Sequence, residues 1–111
     1  MKKKLTTGAI LTLAIFAATT ILAADGKALY DQHCAKCHGA DGKGNTKMGQ
    51  KLGAKDYSKA KTWDSLTDAA ALKAVKEGLK DKEGKVLMKP TDGVNDAEAK
   101  AAVEHMKTLK K

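Results

Sequence analysis

The 111-residue chain has two cysteines, and both fall within five residues, Cys34-Ala35-Lys36-Cys37-His38. No other stretch limits the fold as strongly. The C-x-x-C-H spacing is the one used to attach a c-type haem covalently. Each thiol can add across one vinyl group of a porphyrin, and two intervening residues set the sulfurs at the separation of those vinyls. His38 follows at once, which brings its imidazole under the ring as the proximal iron ligand. Other uses of these residues fit less well. A thioredoxin-like redox pair would sit in a βαβ pattern, and none surrounds the motif. Zinc would want four ligands, and His33 and His105 do not supply a second pair at finger spacing. With both cysteines in the motif, no other disulfide framework exists.

The first residues stand apart from the rest. Lys2, Lys3 and Lys4 are followed by an uncharged stretch over residues 5–22, then by Ala23-Ala24 and polar Asp25. This is the layout of a secretory signal peptide, expected over residues 1–24 and cleaved after Ala23 or Ala24. The stretch approaches the roughly 20 apolar residues that span a bilayer, but its threonines and alanines weaken it as an anchor. No stable membrane insertion is expected after cleavage, and the absence of a cysteine at the junction argues against a lipoprotein. Export implies a periplasmic protein, which suits a haem whose thioethers form outside the cytoplasm.

Residues 25–111 then form one small domain. Phe16 leaves with the signal, so Tyr30, Tyr57 and Trp63 are its only aromatics. So small a chain with so few large apolar side chains is marginal alone, and a covalently held porphyrin would complete its core. The formal charge is +8 and every basic residue is lysine. Three lysines leave with the signal, and those remaining still outnumber the acids. A moderately cationic surface suits acidic partner proteins as well as plain solubility. Nucleic acid is a poor fit, because the lysines are scattered with almost no aromatics among them. A monomer is expected.

Apolar spacing predicts a short helix over residues 25–34, capped by Asp25 and ended by the motif. Residues 39–45 are glycine-rich and read as a turn close to the haem. Residues 48–58 read as irregular chain, with Leu52 and Tyr57 available to pack. Thr67-Asp68 opens a second helix through Ala71, Leu72, Val75 and Leu79, with Gly78 placed to stop it. After a polar loop over residues 80–85, Asn95 and Glu98 form a capping box for the last helix, whose face carries Ala99, Ala102, Val103, Met106 and Leu109.

The distal ligand decides the chemistry. Met88 is the best-placed donor, far along the chain in a segment expected to be an irregular loop, with Pro90 restricting it. Met48 lies too near His38 and is expected to fill a gap on the proximal side. Met106 sits on an apolar helical stripe, where methionine is usually core. His105 and an open position are the alternatives.

Haem motif first, distal methionine late and a closing helix together resemble a small class I bacterial cytochrome c, over essentially all of residues 25–111. Gly26 and Tyr30 match that family's glycine and aromatic on the N-terminal helix. The resemblance implies that they pack on the C-terminal helix near Ala102, Val103, His105 and Met106. Trp63 resembles the family tryptophan whose indole N–H reaches a haem propionate; packing is its other reading. The chain departs from the family in having Met88-Lys89-Pro90 where Met-Pro is common. Lys47 stands where a proline carbonyl usually accepts from the proximal imidazole. The implied fold is all-α, with three to four short helices wrapped around one haem c. The implied function is one-electron transfer by a His38/Met88-ligated haem between acidic redox partners, not an enzyme. Two alternatives remain: a gas-sensing or peroxidase-like site with an open distal position, and a subunit of a larger oxidase or dehydrogenase complex.

Overall fold

Asp25 sets the first helix. In the computed structural model, which describes residues 25–111 and Gly8, its carboxylate accepts from the Ala28 N–H at 3.1 Å and caps α1 (Gly26–His33). The segment expected to be a signal peptide, Gly8 apart, lies outside the described residues. The motif does not end the helical run as expected. Cys34 closes α1 and the chain re-enters a single turn, α2 (Ala35–His38), which stops at Gly39 with φ +81°. Left-handed backbone of this kind is the conformation glycine adopts without steric cost.

Residues 48–58 are more regular than the sequence pattern indicates. Thr46 accepts from the Gly49 N–H at 2.9 Å and starts α3 (Lys47–Leu52). A short α4 (Ala60–Asp64) carries Trp63. Thr67 caps α5 (Asp68–Glu77) and Gly78 stops it, both as expected. The next stretch is a small antiparallel hairpin: β1 (Leu79–Lys80) pairs with β2 (Val86–Met88), Leu79 opposite Met88. Asn95 and Glu98 form the expected capping box, which leads into α6 (Asp96–Thr108).

The fold is mostly helical, as expected, but among the described residues there are six helical segments where three to four were anticipated. The extra ones are single turns or little more, too short to show a 3.6-residue apolar period. The core lies where α1 and α5 pack on α6. Ala71, Val75, Ala99 and Val103 form its buried cluster, with Leu66, Leu72, Met88 and Val94 partly buried against it. At the α1–α6 crossing Tyr30 is fully buried and its ring lies 5.3 Å from that of His105. Gly26 faces the Ala101 carbonyl so closely that a Cβ there would overlap it. This is the packing that the resemblance implies for Gly26 and Tyr30, with His105 in a packing role. An ion pair between Lys107 and Asp68, at 2.5 Å, joins α6 to the start of α5.

Candidate functional site

The single turn of α2 places the three motif side chains on one face. The His38 N–H donates to the Cys34 carbonyl at 2.9 Å and the Cys37 N–H to the same oxygen at 3.2 Å. Residues three and four apart on a helix are neighbours on its surface, so Cys34, Cys37 and His38 leave the backbone in one direction. Both cysteines are free and half-buried. Burial, with Cys37 adding to it, pushes the Cys34 thiol up to about 11. Burial also pulls the His38 imidazole below its ordinary value, so the ring is neutral at pH 7. Neutral imidazole is the form that binds a metal.

This donor set fits a haem better than a bare ion. Among the described residues no group of three or more His, Cys, Asp or Glu side chains converges on one point. The three motif groups are spread along one face, which matches two attachments at a porphyrin edge and one at its centre. His38 also has a buried Nδ1 with no hydrogen-bond partner. The resemblance implies that the Lys47 carbonyl accepts there. Instead Lys47 begins α3, and its carbonyl is not a partner of His38.

The turn is held by its surroundings mainly through backbone atoms. Tyr30 donates its hydroxyl to the Gly39 carbonyl at 2.6 Å, Thr46 donates to the Cys37 carbonyl at 2.9 Å, and the Gly44 N–H donates to the His38 carbonyl at 2.7 Å. Gly49 faces the Cys37 and Gly44 carbonyls with no room for a side chain. A ladder of rings completes this side. Tyr57 stands 5.6 Å from His38 at 77°, and Trp63 stands 5.2 Å from Tyr57 at 64°. The Trp63 indole N–H donates to the Tyr57 carbonyl at 2.8 Å. Sequence resemblance assigns that N–H to a haem propionate; in this structure it is given to the Tyr57 backbone, and the indole ring packs on Tyr57. Tyr57 is the residue that sequence reasoning undervalued, naming it only as available to pack. Its one sequence signal is an aromatic six residues before Trp63.

Met88 lies on β2, a strand and not the expected irregular loop. Its side chain is half-buried against the α5–α6 cluster. The segment is well anchored: Leu79 pairs with it, Gly78 packs under its carbonyl and under Pro90, and the Thr91 N–H donates to the Val75 carbonyl at 2.9 Å. Met48, expected to fill a gap on the proximal side, is 37% exposed and lines a cleft with Lys36, Lys47 and Lys51. Met106 is half-buried on α6 and His33 is exposed.

Among the described residues no helix is long and apolar enough to cross a membrane. No curated protein matches the chain. Among solved structures, the KustC0563 c-type cytochrome is 34% identical with a TM-score of 0.67, the match covering 78% of this chain and 99% of that one. A tyrosine-to-phenylalanine variant of Kustc0563 is 32% identical with a TM-score of 0.65, over the same shares. A Kuenenia stuttgartiensis reducing HAO-like protein complex, Kustc0457/Kustc0458, shares the fold at 21% identity and a TM-score of 0.58, over 78% of this chain and 41% of that one. The sequence model of cytochrome c matches residues 23–110. Those residues include the attachment turn, the α1–α6 crossing and Met88, and the chain belongs to the cytochrome c family.

Proposed function

We propose that the protein is a periplasmic one-electron carrier with a single haem c, exported by its N-terminal segment and working between acidic redox proteins. Membership of the cytochrome c family carries the coarser statement, haem-based electron transfer. The observation that carries the finer one is the pair of ligand candidates on two separately anchored elements. The neutral His38 is on α2, and Met88 is on a hairpin tied to α5. A haem held there supplies reversible exchange of one electron at its iron.

Each residue of the chain has a distinct part in this. Cys34 and Cys37 would hold the porphyrin through thioethers, and His38 would bind iron with its neutral nitrogen. Met88 would offer a thioether sulfur, a soft donor that favours the reduced metal. Were His38 and Met88 both to hold the iron, no position on it would be left for a substrate, which supports a carrier over an enzyme. Tyr57 and Trp63 wall the proximal side and keep water from it. Visible spectroscopy tests the ligand set. A pyridine haemochrome should show two thioethers, and Met88→Ala should abolish the weak near-red band of methionine-bound ferric iron while Met106→Ala keeps it. Loss in Met106→Ala instead would reassign the ligand.

Lys36, Lys47 and Lys51 surround the exposed Met48 beside the attachment turn, a cationic rim with an apolar centre. This face is where an acidic partner would dock, and its steering weakens as salt screens the charges. The rate of electron exchange with an acidic partner should therefore fall as ionic strength rises from ~0.01 to ~0.15 M, over which the screening length shrinks from ~30 to ~8 Å. A flat salt profile would remove the steering.

A second reading has its own observation. Leu79 and Val86 on the hairpin are 48% and 42% exposed. One solved neighbour with this fold carries the name of a protein complex. A subunit role inside a larger assembly would use that hairpin face. Sizing the native protein from its source membrane and soluble fractions separates the two readings, since a free carrier runs as a monomer.

A further inference from the structure

The proximal histidine has lost the contact that normally orients it. A ligating imidazole can turn about its bond to the metal, and a hydrogen bond from its second nitrogen to a fixed acceptor normally sets that angle. Here Nδ1 of His38 is buried with no hydrogen-bond partner, the Lys47 carbonyl included. A ring stands against the imidazole instead. Tyr57 lies 5.6 Å from His38, nearly perpendicular at 77°, within the separation at which edge-to-face rings attract.

We propose that Tyr57 is a positioning residue for the proximal ligand: pinned between the attachment loop and Trp63, its ring holds the plane of the His38 imidazole by edge-to-face packing. This rests on the reading of His38 as an iron ligand.

Such a device works only if the tyrosine itself cannot move, and it is fixed on several sides. Its N–H donates to the Gly42 carbonyl at 2.7 Å, which ties it to the loop leaving the motif. Its carbonyl accepts from the Trp63 indole at 2.8 Å, while the Trp63 ring backs the Tyr57 ring at 5.2 Å. On one side Asp56 accepts from Ser58, through both its N–H and its hydroxyl, and from Thr62 through its carbonyl. On the other, the N–H of the last residue, Lys111, donates to the Ser58 carbonyl at 2.8 Å. Six residues from three parts of the chain thus hold this segment and its ring in place. The contact that matters is made by the ring face and edge, so the hydroxyl is dispensable.

The test uses the full-length protein expressed with haem maturation, as wild type and as Tyr57→Leu, Tyr57→Phe and Trp63→Leu. The ferric form is read by EPR g values and by the NMR shifts of the four haem methyls, which follow the orientation of the axial imidazole plane. Tyr57→Leu should reorder the methyl shifts and change the g spread, and Tyr57→Phe should restore both. Trp63→Leu, which leaves Tyr57 without its backing ring, should give a smaller change in the same direction. The Fe(II)/Fe(III) ratio at fixed potential should move with them, furthest in Tyr57→Leu. Wild-type spectra from Tyr57→Leu, even with a lowered melting temperature, would overturn the positioning role and leave a purely structural one. If Tyr57→Leu takes up no haem, Trp63→Leu decides: unchanged spectra there overturn the proposal. Wild-type protein without covalent haem would instead sink the ligand reading on which it depends, an outcome the pyridine haemochrome distinguishes.

Discussion

The α1–α6 crossing and the segment from Gly39 to Trp63 are built in opposite ways. At the crossing the chain packs on itself through side chains. Tyr30, Ala99, Ala102 and Val103 are buried, and all but the tyrosine are small, so the helix backbones come close enough for Gly26 to touch the Ala101 carbonyl. The segment around the attachment turn buries little side-chain surface. It is held by polar side chains reaching backbone atoms: Thr46 to the Cys37 carbonyl, Gln50 to that of Asn45, Thr62 to that of Asp56 and Trp63 to that of Tyr57. Apolar packing is non-directional and tolerates small shifts, whereas these bonds fix individual carbonyls in place. The turn carrying Cys34, Cys37 and His38 is built from bonds of the second kind, and the crossing packs by the first.

The largest test of this contrast is at Gly26. In Gly26→Val the new side chain must displace the Ala101 carbonyl and press on His105, whose Cβ would lie 3.3 Å from the first added carbon. Overpacking of this sort costs about 3 kcal/mol, a large share of what a small domain has. Urea denaturation followed by circular dichroism measures it. If the near-red methionine band survives while the melting midpoint falls, the two regions are separable. If both go together, the crossing carries the site, and the contrast is one of construction only.

The same difference explains which elements could be read from the sequence. Helix α1 was legible because Asp25 caps a run with Tyr30 on its inner face. Helices α5 and α6 were legible because Thr67, Gly78, Asn95 and Glu98 mark their ends, and Ala71, Val75, Ala99 and Val103 recur at helical spacing. Helix α3 was not. Its sequence, Lys47-Met48-Gly49-Gln50-Lys51-Leu52, has a glycine at the centre and a methionine that points outward, so it shows no apolar stripe. Gly49 is there because nothing larger fits against the Cys37 carbonyl, a tertiary reason with no local pattern. The hairpin was missed for a similar reason: strands of two and three residues are too short for alternation to show. At the site, the C-x-x-C-H spacing was legible in five consecutive residues, whereas the Tyr57 contact exists only after the chain has folded back from Gly42.

Tyr30 is where the two constructions meet, and it gives the smaller and sharper test. Its ring belongs to the crossing, against His105, while its hydroxyl donates at 2.6 Å to the Gly39 carbonyl at the end of the attachment turn. Tyr30→Phe keeps the ring contact and removes only the donor. The Gly39 carbonyl keeps the Gly42 N–H at 3.1 Å and loses the other of its two bonds, a cost of about 1 kcal/mol. The effect should also be local. Amide exchange should quicken at Gly42 and Gly44, whose N–H groups donate to the Gly39 and His38 carbonyls, while amides in the middle of α6 slow or quicken only with global stability. Uniform quickening along α6 and the loop would mean that the loop has no independent opening and that the hydroxyl merely adds to one cooperative core. Quickening confined to the loop would show the attachment turn to be a separately held unit, clamped to the helix crossing by one buried hydroxyl.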